Sequence, residues 1–360
     1  MLKSLVVTAL LCMVMFATSK TNAQVTFIEN TTGMVTQLQL LLKALQSLQT
    51  QLSLLQTTDS VPTVAASATT SATSTAYDII IVAGQSNAVG FGNGTYTEES
   101  QFLTATNTAK VFQVGRFFRH DMRIIPVTHE PLEFWGMNRT FSSTTLDNLG
   151  AAYPFALRLA ATETTGRKVL IIPAAKGGTS ILEWDNVINN FGSSTDPDST
   201  ILYDDMVTRV KFALAQNPKN RVVAVIWRQG EADVNALYIV GNPYHQFMTS
   251  SSTYQSKLIA FRNRLRSDLP SQGCVPFLFG EMTKQWVPYV SKYQVMSGLE
   301  AKSAITNVIK YVASTDSCNA SVFVPSTNTT VNSQGPIHFD AVGQWNMAKK
   351  FWAAYQTVKN

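Results

Sequence analysis

The sequence is poor in charge, and the charge that it has is not concentrated. Only 14% of its 360 residues are charged, and the 28 basic and 23 acidic residues form no block of one sign. Nucleic-acid-binding proteins usually carry a basic patch or stripe, so we expect no nucleic-acid partner. With 45% hydrophobic residues, the composition is that of a globular chain with a sizeable core and not that of a disordered one.

Long apolar runs are missing beyond the first residues of the chain. The run from Leu5 to Ala17 follows Lys3 and gives way to small and polar residues up to Ala23, which is the pattern of a cleavable secretory signal. It is shorter than the roughly 20 residues that cross a bilayer. We therefore predict a signal peptide over residues 1–23 and a secreted, extracellular protein, with a signal anchor at the cell surface as the alternative.

Cysteine is also scarce, with three residues in the chain. Cys12 belongs to the predicted signal peptide, so Cys274 and Cys318 remain as a pair in an oxidising compartment. We predict a disulfide between them, and two buried thiols are the alternative. A secreted glycoprotein is further indicated by five Asn-x-Ser/Thr sequons, at Asn30, Asn93, Asn138, Asn319 and Asn328.

Two segments separate the signal peptide from the globular part. In residues 24–56, apolar residues from Met34 to Leu55 alternate spacings of four and three, which predicts a short amphipathic coiled coil. Such a helix either associates with a second copy, giving a homo-oligomer through residues 34–55, or packs on the globular domain. Residues 57–76 are rich in Ser, Thr and Ala and predict an extended linker. The globular domain is then residues 77–360.

Apolar runs typical of strands alternate with helical patterns in this domain. Four near-continuous apolar segments predict strands buried on both faces of a parallel sheet, at residues 78–83, 168–173, 221–227 and 275–279. Helices are predicted over residues 151–164, 201–215, 253–267, 290–309 and 341–355. The alternation predicts an α/β domain with three layers, α/β/α, around a central parallel sheet.

Ligands bind such sheets outside the carboxyl ends of the strands, so the residues that follow the strands are the candidates for chemistry. The first segment is Gly84-Gln85-Ser86-Asn87. The other segments are Ala175-Lys176-Gly177-Gly178-Thr179, Arg228-Gln229-Gly230-Glu231 and, on the loop before the last helix, His338.

Serine esterases need a base within reach of the hydroxyl, an acid that orients the base, and donors for the developing oxyanion. Ser86 follows a buried strand and is expected to open a helix, where backbone N–H groups are free. His338 precedes the terminal helix on a loop, which is a common place for a catalytic base. Ser86 as a simple helix N-cap is the alternative.

The other two segments offer candidates for the remaining parts. Gly177 and Gly178 allow a backbone N–H to approach a substrate closely, although an ordinary turn explains them equally well. Gln229 is a candidate oxyanion donor, and Glu231 is a candidate acceptor for the imidazole. Asp233 fits an ordinary surface carboxylate.

Together these segments resemble the conserved blocks of the SGNH hydrolase superfamily, and its sialate O-acetylesterase and acetyl xylan esterase group most of all. The resemblance extends from about Asp78 to Tyr355. Its blocks occur in the family's order, as Gly84-Gln-Ser-Asn87, Gly177-Gly-Thr179 with Trp184, Trp227-Arg-Gln-Gly-Glu231-Ala-Asp233 and Ile337-His-Phe-Asp-Ala-Val-Gly-Gln344.

The resemblance implies an SGNH-like, flavodoxin-like fold and a carboxylic ester hydrolase that acts on acetylated glycans or polysaccharides. It implies Ser86 as the nucleophile and His338 as the base. The implied oxyanion hole consists of the Ser86 N–H, an N–H of Gly177 or Gly178, and the Gln229 side chain, with Gln85 and Asn87 as flanking substrate-binding residues. No metal or organic cofactor is implied.

Two departures from the family pattern affect these expectations. Family members often carry aspartate three residues before the histidine, where this chain has Gly335. The acid is then expected to be Glu231, with Asp340 as the fallback and a dyad supported by a backbone carbonyl as a third possibility. Arg228 replaces the usual His or Tyr, which bears on substrate preference. The main alternative function is a catalytically weak or inactive glycan-binding or adhesion protein on the same fold.

Overall fold

A computed structural model describes residues 75–92, 100–115, 122–127, 132, 134, 150–185, 202–290, 292–333 and 335–359. The predicted signal peptide, coiled coil and linker up to residue 74 lie outside these residues. The same is true of Cys12 and of the sequons at Asn30, Asn93 and Asn138. In the described part, no helix has both the length and the apolar character that crossing a membrane requires.

A sheet of seven strands forms the centre of the described domain. The strands are β1 (Tyr77–Gly84), β2 (Val111–Val114), β3 (Ile124–Pro126), β4 (Lys168–Pro173), β5 (Arg221–Arg228), β6 (Phe277–Gly280) and β7 (Ser321–Val324). Their order across the sheet is β3-β2-β4-β1-β5-β6-β7, and all pairs are parallel except β2 with β3. The chain moves from β4 to β5 across β1, so the carboxyl end of β1 lies at the point where ligands bind in open α/β sheets.

Helices connect and cover the strands. They are α1 (Ser86–Val89), α2 (Ala105–Thr108), α3 (Ala152–Thr162), α4 (Ile181–Trp184), α5 (Leu202–Ala215), α6 (Glu231–Tyr238), α7 (Ser251–Asp268), α8 (Gly298–Ser314) and α9 (Ala341–Val358). Short 3₁₀ turns occur at Ser100–Phe102 and Pro270–Gln272.

Two apolar cores lie on opposite faces of the sheet, because successive side chains of a strand point to opposite sides. Ile79 and Ile81 of β1 face a core formed with α5, α7 and α8. Ile80 and Val82 face the other core, formed with α3 and α9. All four of these side chains are almost fully buried, which is why the central strand is continuously apolar. The predicted three-layer α/β/α fold is confirmed.

Most predicted elements lie within a few residues of the observed ones, with one displaced helix. The periodicity predicted a helix over residues 290–309, whereas α8 spans Gly298–Ser314. A capping box fixes its start, because Ser297 accepts from the Glu300 N–H and the Glu300 side chain accepts from the Ser297 N–H. Val290 and Val295, inside the predicted range, lie exposed in the irregular segment before α8.

The amino ends of the strands carry ion pairs and a disulfide. Asp78, at the start of β1, accepts from Arg167 and from Arg221, both at 2.7 Å. Cys274 and Cys318 are joined in a disulfide with a Cα–Cα distance of 5.7 Å.

Near that disulfide, Asp316 accepts from both terminal nitrogens of Arg266. Although burial acts in the other direction, the hydrogen bonds from Arg266 and Ser321 lower the pKa of Asp316. The hydrogen bonds of Arg266 therefore favour the ionised form of Asp316.

Candidate active site

Ser86 lies at the carboxyl end of β1, on the first residue of the one-turn helix α1. The turn before it requires glycine: Gly84 has a φ of 123°, and a Cβ there would lie 2.1 Å from the Arg228 carbonyl oxygen. That close approach lets the Gln85 N–H donate to the same oxygen at 2.9 Å. Because α1 starts at Ser86, its first N–H groups have no acceptor inside the helix. The Ser86 side chain is therefore held at the centre of the sheet edge beside free backbone donors.

His338 meets Ser86 from the loop before α9. Its Nε2 lies 3.0 Å from the Ser86 Oγ, which is hydrogen-bond distance. The ring of Phe91 stacks on the imidazole, with centroids 4.7 Å apart and planes 14° from parallel. Burial, and then the positive charge of Arg228, lower the pKa of His338. The imidazole is thus kept neutral and able to accept a proton from Ser86 near neutral pH.

Asn87 links the serine turn to the histidine loop. Its Nδ2 donates to the Ile337 carbonyl oxygen at 2.9 Å, and its Oδ1 accepts from the Phe339 N–H at 3.3 Å. The two bonds therefore hold the residues on either side of His338. The Asn87 side chain is 1% exposed, so it faces the protein interior and not a substrate, unlike the sequence expectation.

Glu231 lies behind this link, at the start of α6. Its Oε1 accepts from the Asn87 Nδ2 at 2.6 Å, and its Oε2 has no hydrogen-bond partner among the described residues. Burial raises the pKa of Glu231, although the hydrogen bond from Asn87 and the charge of Arg228 act in the opposite direction. Glu231 was expected to accept a hydrogen bond from the imidazole, but it accepts one from Asn87 instead. Its role as the acid stays a prediction.

Arg228, at the end of β5, is the buried cation of the site. One of its terminal nitrogens donates to the Asn87 carbonyl oxygen at 2.7 Å and to the Gln344 side chain. Its guanidinium lies 4.5 Å from the centroid of the Phe339 ring, close enough for a cation–π contact. Burial lowers the pKa of Arg228 to about 9. All of these contacts are with the protein interior. The arginine that stands here in place of the His or Tyr of similar sequences therefore contacts the loop that carries His338.

The glycine loop after β4 approaches Ser86 from the other side. A Cβ on Gly177 would lie 4.0 Å from the Ser86 Cβ and 4.0 Å from the Phe91 ring. Gly178 has a φ of 74°, a conformation that favours glycine. The loop ends at Ser180, which caps α4 through a capping box with Glu183. The predicted position of Gly177 beside the serine is therefore what the structure has.

Gln229 supports this loop through its side chain. Its side-chain nitrogen donates to the Thr179 carbonyl oxygen at 3.1 Å and to Asp233, while its Oε1 accepts from Tyr254 at 2.9 Å. Gln85 accepts the Ala232 N–H at 3.1 Å and so ties the serine turn to α6. Both glutamines are nearly fully buried and contact other protein groups, and their roles in binding the oxyanion and the substrate stay predictions.

Asp233 is buried, and the expectation of an ordinary surface carboxylate was wrong. It is 0% exposed and accepts from the Ser180 hydroxyl at 2.5 Å and from the Ile181 N–H at 3.2 Å. Burial raises the pKa of Asp233 to about 7, against the opposing effect of hydrogen bonds from Ser180, Gln229 and Ile181. Asp233 lies in the first turn of α6, and its contacts with Ser180 and Ile181 join segments that are far apart in the sequence, so the sequence carried no local signal for its burial.

Asp340, the fallback acid, is occupied elsewhere. Its side chain accepts from the Gly343 N–H at 2.7 Å and from the Thr330 hydroxyl at 2.5 Å, as the N-cap of α9. At Gly335 an added Cβ would meet nothing within 4 Å, so the position where relatives carry aspartate is open.

Metal ligands are not clustered in this part of the molecule. Within the described residues, no group of three or more histidine, cysteine, aspartate or glutamate side chains is arranged to hold a metal ion.

Phe91 was missed by the sequence analysis. It lies two residues after the end of α1 and belongs to none of the motifs. Its position just beyond the turn of Ser86 was a signal that could have been considered, because its ring stacks on His338.

A three-layer α/β domain with a serine–histidine pair at the carboxyl edge of its sheet has the architecture of the SGNH-type ester hydrolases. The model of the carbohydrate esterase, sialic acid-specific acetylesterase family matches residues 76–357, and the chain belongs to this family. It is accordingly a carboxylic ester hydrolase of the sialate O-acetylesterase type.

Individual proteins support the same assignment. The chain is 26% identical over 257 residues to the probable 9-O-acetyl-N-acetylneuraminic acid deacetylase of Escherichia coli (strain K12), an alignment that covers 65% of this chain and 76% of the relative. The crystal structure of NanS superposes with a TM-score of 0.55 at 21% identity, covering 78% of this chain and 97% of NanS. A protein from Arabidopsis thaliana superposes with a TM-score of 0.50 at 20% identity, covering 79% of this chain and 99% of that protein. At these identities the two superpositions show the fold.

Proposed function

We propose that the chain is a secreted serine carbohydrate esterase that removes O-acetyl groups from sugars, with Ser86 as the nucleophile and His338 as the base. The observation that carries the proposal is the 3.0 Å distance between His338 Nε2 and Ser86 Oγ. The stacked ring of Phe91 supports it, because the ring restricts rotation of the imidazole away from the hydroxyl.

The reaction follows from this geometry in two displacements. His338 Nε2 takes the proton as the Ser86 Oγ attacks the acetyl carbonyl, and it returns the proton to the sugar oxygen as the C–O bond breaks. A water molecule then gives its proton to His338 and attacks the acetyl carbonyl of the acetyl-enzyme. His338 returns this proton to the Ser86 Oγ as the bond between that oxygen and the acetyl carbon breaks, which releases acetate and restores the serine. The lowered pKa of His338 favours this cycle, since the neutral imidazole is the form that accepts the proton.

Backbone donors are the best candidates for binding the oxyanion. The Ser86 N–H is at the start of α1, and the loop of Gly177 and Gly178 passes Ser86 so closely that a Cβ on Gly177 would lie 4.0 Å from the Ser86 Cβ. The Gln229 side chain, the third donor suggested by the resemblance, is engaged with Thr179 and Asp233. We therefore assign oxyanion binding to the two backbone groups.

Glu231 is the proposed acidic member of the site. It is the carboxylate hydrogen-bonded to the residue that follows the nucleophile, and it is 2% exposed. Asp340 is a helix cap and is therefore the weaker candidate.

The substrate class is proposed from the family description and from one relative. The curated relative in Escherichia coli is named for 9-O-acetyl-N-acetylneuraminic acid, which favours O-acetylated sialic acid over acetylated xylan. Acetate release from 9-O-acetyl-N-acetylneuraminic acid and from acetylated xylan, at matched ester concentration, tests this choice. A higher kcat/KM for the xylan would reverse it.

Replacement of Ser86 by alanine tests the reaction itself. We expect turnover of p-nitrophenyl acetate to fall by at least about 1,000-fold, because the substitution removes the oxygen that attacks the acetyl carbonyl. Ser256→Ala, at an exposed hydroxyl of α7 that contacts Ser252, is the matched control and should keep the wild-type rate.

A Ser86→Ala protein that is folded and as active as this control would disprove the proposal. Labelling by a fluorophosphonate probe separates the enzyme from a binding protein on the same fold. The wild-type chain should be labelled and Ser86→Ala should not, whereas glycan binding without labelling of the wild type would favour the adhesion alternative.

Export, glycosylation and the N-terminal segments complete the proposal. The disulfide and the exposed sequon residues Asn319 and Asn328 are compatible with passage through an oxidising, glycosylating compartment. The division into residues 1–23, 24–56, 57–76 and 77–360 and self-association through residues 34–55 stay predictions. N-terminal sequencing of the secreted chain and the mass of the protein with and without residues 24–56 test them.

A further inference from the structure

We propose that Asn87 is a positioning residue that sets the geometry of His338, and that Glu231 acts on the histidine by fixing the orientation of the Asn87 side chain. This inference rests on the proposed function, since it assumes that Ser86 and His338 are the reacting pair. It gives Asn87 a different role from the one expected from the sequence, which was a contact with the substrate or the oxyanion.

The first argument is that the hydrogen bonds of Asn87 enclose His338. The side chain holds Ile337 through its carbonyl oxygen and Phe339 through its N–H, at 2.9 and 3.3 Å. A side chain that binds both neighbours of a residue restricts the backbone angles of that residue. Since Asn87 follows Ser86 directly, it also ties the base to the turn that carries the nucleophile.

The second argument is that Glu231 allows only one orientation of the Asn87 amide. An amide has two N–H donors on nitrogen and an acceptor oxygen. Both donors have acceptors, Glu231 Oε1 at 2.6 Å and the Ile337 oxygen, while the oxygen receives the Phe339 N–H. A flipped amide would place its oxygen against a carboxyl oxygen and a carbonyl oxygen, and its NH₂ against an N–H. All contacts would then be repulsive.

The third argument concerns burial and charge. Asn87 and Glu231 are 1% and 2% exposed, so neither is placed to meet a sugar in the cleft. Arg228 fixes the same residue from its backbone, at 2.7 Å from the Asn87 carbonyl oxygen. What Glu231 supplies to Asn87 is a hydrogen-bond acceptor, a role that a neutral amide can also fill.

The main experiment is a set of substitutions at residues 87 and 231 in the full chain. We expect Asn87→Ala to lower kcat for p-nitrophenyl acetate by about 100-fold, the lower range of general-base catalysis, with KM within a few-fold of wild type. The rate of labelling of Ser86 by the fluorophosphonate probe should fall in parallel, because the probe reports the reactivity of the nucleophile without a sugar.

Asn220→Ala is the matched control for the loss of a buried asparagine. Asn220 is also buried and also makes two side-chain hydrogen bonds, with the Tyr77 N–H and the Ala213 oxygen, both at 2.7 Å. It lies at the amino edge of the sheet, so its replacement should lower the melting temperature while kcat stays at the wild-type value. An equal loss of kcat in both variants would overturn the positioning role.

Variants of Glu231 test the second half of the proposal. Glu231→Gln keeps an acceptor for Asn87 and should lose less activity than Glu231→Ala, which should approach the loss of Asn87→Ala. The double variant Asn87→Ala with Glu231→Ala should be no slower than Asn87→Ala alone, because one residue acts through the other.

Additive losses in the double variant would contradict the coupling, and a Glu231→Gln loss as large as that of Glu231→Ala would show that the charge is needed. If Asn87→Ala changed KM alone, Asn87 would be a substrate contact and not a positioning residue. These outcomes leave the proposed function intact as long as Ser86→Ala is inactive, so the two failures can be told apart.

Discussion

The two edges of the central sheet treat buried carboxylates in opposite ways. At the amino edge, Asp78 and Asp316 are paired with arginines through short hydrogen bonds. At the carboxyl edge, Glu231 and Asp233 are fully buried with partners that are amides, a hydroxyl and backbone N–H groups. Arginine pairing lowers the pKa of Asp316 after the opposing effect of burial, whereas burial raises the pKa of Asp233 to about 7.

This difference separates carboxylates that stabilise the fold from carboxylates that hold a site. Removing one partner of a buried ion pair is strongly destabilising, because the other charge stays buried without compensation. A buried acid without a cation hydrogen bond is costly, and such groups are concentrated at functional sites. The amino edge is thus expected to control stability, and the carboxyl edge turnover.

The largest expected effect is at the carboxyl edge. His338→Gln should lower kcat by about 1,000-fold or more, because the hydroxyl of Ser86 then has no general base. His245→Gln is the control, since His245 is bound to the Ala236 carbonyl oxygen, away from the serine. Steady-state kinetics of both purified variants measures kcat, and circular dichroism verifies that they are folded. Equal rates for the two variants would contradict the assignment of His338 as the base.

The next effect is at the amino edge and concerns stability alone. Asp316→Ala should lower the free energy of unfolding by about 3–5 kcal/mol, because it leaves the largely buried Arg266 without its partner. Asp204→Ala, at an exposed pair with Arg264, should cost less than about 1 kcal/mol. Urea unfolding measures both. A fall in kcat for the folded Asp316→Ala enzyme would contradict the expectation that the amino edge affects stability alone.

A smaller effect distinguishes the two edges by pH. An acid whose pKa is higher in the folded state stabilises most below its unfolded value and loses that contribution as pH rises through the folded value. For Asp233 the window runs from about 4 to about 7. The stability of the wild type relative to Asp233→Asn should therefore fall by about 2 kcal/mol between pH 5 and pH 8.

Any constant loss caused by the amide of Asp233→Asn is common to both pH values and cancels in this difference. Asp204→Asn, on the exposed surface, provides the comparison. A pH-independent difference between wild type and Asp233→Asn would show that the carboxyl is ionised throughout.

The smallest effect is a displacement of the pH profile. Burial and Arg228 lower the pKa of His338, so the acidic limb of kcat/KM should lie below pH 6.5. Gly335→Asp adds a carboxylate in open space, three residues before the histidine. An added negative charge favours the imidazolium, so the limb should move to higher pH by up to about one unit. Gly335→Asn is the uncharged control. Equal pH profiles of kcat/KM for the two variants would show that the new carboxylate does not interact with the imidazole of His338.

Much of the fold was accessible from the sequence because its central strands are buried on both faces. β1, β4 and β5 are near-continuous apolar runs, and each was predicted to within one residue at either end. The strands β2, β3 and β7 were missed, since they span only three or four residues, and β3 and β7, at the edges of the sheet, are also only partly buried. Helix α6 was missed because it begins at Glu231, inside the segment that had been assigned to the site.

The candidate site was predictable in its members and not in their contacts. Strand ends identified the segments of Ser86, Gly177 and Glu231, because parallel strands bring their carboxyl ends to one edge. Side-chain hydrogen bonds between distant segments have no periodic signal. The link from Asn87 to Glu231 and the engagement of Gln229 with Thr179 were therefore visible only in three dimensions.

The hydrogen bond between Ser86 and His338 joins residues 252 positions apart in the chain. Contacts of such separation require most of the intervening chain to be in place, since closing a long loop costs entropy before the contact can form. During synthesis, a ribosome-bound chain that ends before His338 has the hydroxyl without its partner and cannot cleave an ester through this pair. In the proposed mechanism, hydrolysis begins only when the loop of His338 docks, so the appearance of esterase activity during refolding would report this late assembly step.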